Sequence, residues 1–173
     1  MFEIAHALSS HLSNDVTLFI GLSIIFGLII GSFLNVVIYR MPKILTRQWQ
    51  QNCLALQCKE MPDQAPLTLA TPRSACPTCN HIITAIENIP AISYLFLGGK
   101  CKSCKTRISI RYPLVEILTG ALLGLVAYQF GYTYTTLFAW IFILALITLS
   151  LIDFDTQLLP DDITLPLLWL GLL

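Results

Sequence analysis

From Val16 to Tyr39 the chain carries no Asp, Glu, Lys or Arg. As a helix this run extends roughly 36 Å, enough to cross a hydrocarbon core of about 30 Å. A polar, proline-punctuated stretch follows, and residues 117 to 152 are then again without a formal charge. That second run accommodates two spans if it breaks near GYTYTT, residues 131–136, where Gly and aromatic side chains suit an interfacial turn. Beyond Asp162 the chain turns apolar once more and stops at Leu173. This last run is too short to cross and reads as the start of a fourth, truncated helix. The pattern predicts an all-α polytopic membrane bundle.

Composition agrees: 55% of the 173 residues are hydrophobic and 12% charged, wrong for an ordinary soluble fold. The ten basic and ten acidic residues cancel, but their distribution is uneven. Every Lys and Arg lies between Arg40 and Arg111. Arg40, Lys43 and Arg47 follow the first span, and Lys100, Lys102, Lys105, Arg107 and Arg111 precede the second. By the positive-inside rule the intervening loop is expected to be cytoplasmic, with the N-terminus and the GYTYTT turn outside. The first fifteen residues lack the basic segment of a cleavable signal, so the first span is expected to stay.

The predicted organisation is a periplasmic segment 1–15, transmembrane helix 16–39, a cytoplasmic domain 40–112, transmembrane helices 113–131 and 135–152, an acidic cytoplasmic edge 153–162, and the opening of a fourth helix at 163–173. Within the first span Gly27 and Gly31 let another helix approach closely, and Asn35 needs a hydrogen-bond partner in lipid. That face either packs helices or borders an active site. Arg40 is expected to snorkel to the headgroups and Pro42 to end the helix.

CPTC at 76–79 and CKSC at 101–104 offer two pairs of sulfurs to one tetrahedral metal. Four thiolates leave no open position, so zinc here would be structural, folding a loop too small and polar to fold alone. A redox CxxC and disulfides or free thiols are the alternatives. Cys53 and Cys58 have no matching second pair and read as ordinary thiols. Glu116, soon after Pro113 in RYPLVE, is explained as well by the positive end of the helix dipole as by a function.

The remaining chemistry lies in LIDFDTQLLPDD, residues 151–162. Asp153 follows a long apolar run at the membrane boundary, where an ionisable group is costly and is a functional candidate by default. An aspartyl peptidase needs two carboxylates sharing a proton, one taking a proton from water while the other donates to the scissile carbonyl. Asp155, two positions on, points away from Asp153 on a helix. Asp161 and Asp162, after Pro160, are expected to cap the next helix. A solvated acidic rim is the bland reading of all four.

GSFLNVVIYRMP, SACPTC, ENIPAISYLFLGGKCKSC, ISIRYPLVEILTG and LIDFDTQLLPD, in this order, resemble the type IV prepilin peptidases of bacterial inner membranes, from about Gly27 to Leu173. The resemblance implies a GxGD-class aspartyl peptidase that removes the leader of type IV prepilins and type II secretion pseudopilins. It also implies an N-methyltransferase that uses S-adenosylmethionine on the new N-terminus. Asp153 then matches the first catalytic aspartate, Cys76, Cys79, Cys101 and Cys104 the zinc ligands, and Gly99 a glycine tied to methyl transfer. The family's second catalytic aspartate, in GxGD, has no counterpart here, and a C-terminally truncated copy is expected. The expected partners are these prepilin substrates and membrane lipid, with no nucleic acid. The competing expectation is an inactive fragment serving as a zinc-containing membrane binding module. A transporter is disfavoured, since only Asn35 is strongly polar within a span interior.

Overall fold

The computed structural model describes residues 15–57, 67–73, 75–76, 78–82, 94–95 and 98–172. The N-terminal segment before Asp15, Cys58, the whole of ENIPAIS and Leu173 lie outside the described residues. Four helices account for most of the rest: α1 (Val16–Leu56), α2 (Arg111–Phe130), α3 (Tyr134–Thr156) and α4 (Asp161–Leu172). Among the described residues there is no β-strand, only two isolated antiparallel bridges. Helices α1, α2 and α3 are long and apolar enough to cross a membrane. Phe26, Ile29 and Phe33 on α1 and Phe138 and Phe142 on α3 remain about half exposed, an apolar surface suited to lipid.

α1 starts at Asp15, whose side chain accepts from the Leu18 N–H at 3.2 Å. Its 41 residues make a rod of about 60 Å. It does not end at Pro42 as the sequence suggests but runs through it to Leu56. The fixed φ of proline is compatible with helix, and the cost is one lost hydrogen bond and crowding of the preceding turn. Good helix formers from Lys43 to Gln51 offset that cost.

α1 and α2 cross at small residues on both helices. A Cβ built on Gly27 would lie 2.7 Å from the Gly120 Cα, and one on Gly31 would lie 2.8 Å from the Glu116 Cα. The backbones therefore touch, and the small residues of α1 serve helix packing. Asn35 donates to the Tyr112 carbonyl at 3.1 Å, which meets its need for a partner. α2 is the most enclosed of the three long helices, with half of its apolar window buried. Leu34, Ile38, Val115, Ile147 and Ile152 form the core, with Ile163 of α4 packed against it.

α2 ends at Gly131, whose φ of 60° is available to glycine at little cost. Thr133 then caps α3, accepting from the Thr136 N–H at 3.4 Å. Phe19 stacks on Trp140 and meets Tyr132 edge-on, with centroids 5.9 and 5.4 Å away. This closes the turn end of the bundle.

The thiolate cluster and the acidic edge

Each CxxC segment forms the same turn. The Cys76 N–H donates to the His81 carbonyl at 2.9 Å and Asn80 N–H to the Cys76 carbonyl at 2.9 Å. In the second segment Cys101 N–H donates to the Thr106 carbonyl at 2.8 Å and Lys105 N–H to the Cys101 carbonyl at 3.0 Å. The bridges Ala75 to Ile82 and Lys100 to Arg107 close the two knuckles in the same register. Asn80 and Lys105 take φ of 54° and 59°, left-handed conformations that turn the chain after the second cysteine of each pair. Neither position carries the glycine that would have signalled the turn.

The knuckles bring the four sulfurs together, all within 4.8 Å of one another. Cys76 Sγ lies 3.7 Å from Cys104 Sγ, and Cys79 Sγ lies 3.9 Å from Cys101 Sγ. A disulfide requires about 2.05 Å. Four sulfurs about 2.3 Å from one zinc stand about 3.8 Å apart at tetrahedral angles. The donor set and its spacing therefore fit such an ion. Cys76 and Cys101 are buried, whereas Cys79 is exposed.

Hydrogen bonds tune the sulfurs unequally. The Thr106 hydroxyl, 3.2 Å from Cys104 Sγ, and then the Thr106 N–H hold Cys104 down to about 6. The N–H groups of Cys79 and Thr78 lower Cys76. The His81 N–H favours the thiolate of Cys79, but desolvation and the three neighbouring sulfurs outweigh it and raise that thiol to about 11. Cys53 is a free, exposed thiol on α1.

Gly99 lies at the foot of the second knuckle with φ of 68°. Its carbonyl accepts from the Ile108 N–H at 2.8 Å, and its N–H donates to the Tyr94 carbonyl at 2.9 Å. A Cβ there would meet the Tyr94 hydroxyl at 2.8 Å. Arg40 does not snorkel to headgroups. It is buried, and its guanidinium donates to the carbonyls of Thr68 (3.0 Å), Leu69 (3.2 Å) and Pro72 (2.6 Å). It thereby fastens the loop ahead of the first knuckle to α1.

The carboxylates do not converge in this way. Asp153 is exposed on the last turns of α3, and among the described residues no hydrogen bond reaches its carboxylate. Its backbone carbonyl is capped by Gln157, whose left-handed φ of 53° ends the helix. Asp155 is held elsewhere, by a two-pronged bridge to Arg111 with distances of 2.8 and 2.7 Å. Asp161 and Asp162 are the first two residues of α4, inside the helix rather than at its cap. They favour its N-terminus through the dipole. α2 has no acidic residue in its first turn. Glu116 lies a turn further in and is buried, beyond the reach of the dipole account.

Pro42, Lys43, Thr46 and Arg47 of α1, with Leu67, Thr156 and Leu158, line an open recess of about 390 Å³ beside this edge. Among the described residues, no carboxylate lines it.

Residues 25–130 match the profile of the bacterial peptidase A24 N-terminal domain. Residues 140–173 match that of the type IV leader peptidase family. A prepilin leader peptidase/N-methyltransferase of Pseudomonas aeruginosa is 48% identical over 167 residues, 96% of this chain and 58% of that protein. The protein of the same name from Neisseria gonorrhoeae is 51% identical over 156 residues, 88% of this chain and 54% of its own length. That from Aeromonas hydrophila is 47% identical over 175 residues, covering all of this chain and 58% of the relative. The chain thus spans a little over half the length of these relatives. No solved structure matches it.

Proposed function

The chain belongs to the type IV leader peptidase family of bacterial A24 peptidases, and from that premise we propose that it supplies one catalytic aspartate and the zinc headpiece of a bifunctional membrane enzyme. The enzyme cleaves the leader of type IV prepilins and type II secretion pseudopilins as a GxGD-class aspartyl peptidase. It then N-methylates the new terminus from S-adenosylmethionine. The observation that carries this reading is identity of 48% across 96% of the chain with a relative bearing both activities in its name.

In this reading α1, α2 and α3 cross the inner membrane and the basic flanks keep the knuckles and Asp153 on the cytoplasmic side. Asp153 stands where α3 meets water and takes a proton from the attacking water when paired with a second carboxylate. Asp161, Asp162 and Asp153 add negative charge that favours a basic leader, though such attraction is screened by salt. Cys76, Cys79, Cys101 and Cys104 hold zinc, whose filled shell folds the headpiece and takes no part in the peptidase step. Lys100, Lys102 and Lys105 offset the charge of the tetrathiolate.

The test is Asp153→Asn in the full-length gene product that contains this chain, assayed on a purified prepilin. Leader cleavage is expected to vanish while membrane insertion and zinc content persist. Retained cleavage would remove Asp153 from the mechanism.

A further inference from the structure

The last turn of α3 presents Asp153, and a terminal turn is the part of a helix most prone to fray. Only three helical residues follow Asp153 before Gln157 turns the chain out of the helix. Two contacts fix the rotation of this turn. Ile152 is completely buried in the core. On another face, Leu151 and Asp155, four residues apart, both turn toward Arg111 at the start of α2. The guanidinium donates from Nη1 to Asp155 Oδ1 at 2.8 Å and pairs through Nη2 with Asp155 Oδ2 at 2.7 Å, while Nη2 also reaches the Leu151 carbonyl at 3.5 Å.

At about 100° per residue, Asp153 then points about 200° away from Asp155. It also points about 100° from Ile152, toward water. The bridge side chains are 39% and 33% exposed, so the pair adds little stability. Its two-pronged geometry nonetheless sets an angle that a single contact would leave free.

The geometry points to Arg111 as the positioning residue of the acidic edge: through its fork to Asp155 it holds the last turn of α3 in the rotation that keeps the Asp153 carboxylate outward for an incoming polypeptide. The inference rests on the reading of Asp153 as a catalytic acid. It also gives Asp155 a role distinct from proton transfer.

The test uses Arg111→Leu, Arg111→Lys and the exchanged pair Arg111→Asp with Asp155→Arg, each in the full-length gene product and each verified for insertion and zinc content. For Arg111→Leu, kcat for leader cleavage is expected to fall about tenfold or more while KM stays within about twofold. Arg111→Lys recovers only part of the loss, because an ammonium cannot form the fork. The exchanged pair recovers most of it. An unchanged kcat in folded Arg111→Leu protein, or a rise in KM alone, would overturn the inference.

A second measurement does not depend on cleavage. Asp153→Cys, in a Cys53→Ser, Cys58→Ser background with zinc shielding the other thiols, is labelled with a membrane-impermeant maleimide. The rate at position 153 is expected to change severalfold when Arg111→Leu is added. Equal rates overturn the positioning role. If the unmodified enzyme fails to cleave prepilin, the proposed function fails, and the labelling rates still decide the role of Arg111.

Discussion

The cysteine headpiece and the end of α3 present their reactive groups in opposite ways. In the headpiece four sulfurs from two segments point at one another, all within 4.8 Å, and only a shared cation makes such crowding of thiolates favourable. At the end of α3 the acids diverge: Asp155 is occupied by Arg111, Asp161 and Asp162 sit on the next helix, and Asp153 is exposed. Converging donors define their ligand by themselves. Diverging ones define an edge, and the chemistry done there depends on what is brought up to Asp153.

The contrast is broken most severely at the cysteines. Cys76→Ser or Cys101→Ser removes a buried thiolate from a site type whose binding contributes about 10–16 kcal/mol. Elemental analysis should show zinc falling from about one per chain to near zero, while the helical bundle persists by circular dichroism. Full zinc content in both variants would refute the four-thiolate site.

The bundle that carries the acidic edge is sensitive at a different place. Gly27→Leu forces a side chain against the Gly120 backbone, 2.7 Å from where its Cβ would stand. It should cost about 1–3 kcal/mol or more. Thermal unfolding in detergent should detect the loss, with zinc still bound. A smaller effect is expected from Gly99→Ala, which puts a Cβ at positive φ and against the Tyr94 hydroxyl. The cost is about 1–2 kcal/mol, read as faster zinc loss to a chelator, and Tyr94→Phe should restore part of it.

The mildest probe is protonation. Thiolates are the ligands, so zinc affinity falls as pH falls and protons compete for sulfur. Zinc content followed as pH is lowered should fall as the sulfurs of Cys76, Cys79, Cys101 and Cys104 take up protons, and content independent of pH would contradict thiolate ligation.

The two regions also differ in how far the sequence discloses them. The cysteines are legible because ligand type and short spacing repeat, and each knuckle forms from residues within a few positions of one another. The long apolar runs are legible for the same local reason, and the Gly27 and Gly31 pair predicts a close helix crossing. Arg111 and Asp155 are not, since they are 44 positions apart and each alone reads as an ordinary interfacial charge. Arg40 looks like a headgroup contact until the loop carbonyls it binds are placed beside it. Continuation of α1 through Pro42 likewise escapes a local rule, because the proline penalty is outweighed by the helix formers beyond it. Asn80 carries only a weak signal, since asparagine tolerates the left-handed region less readily than glycine, and Lys105 carries none.

One feature of α1 reaches beyond either site. A continuous helix transmits rotation along its axis, and α1 is clamped in azimuth where Gly27 and Gly31 touch α2. Trp49, 22 residues beyond Gly27, lies about 33 Å further along that axis. The compass direction in which Trp49 and the other residues of this far segment point is therefore decided deep within the bundle. An insertion of one residue between Gly31 and Trp49 would turn that segment by about 100° without touching a single residue in it.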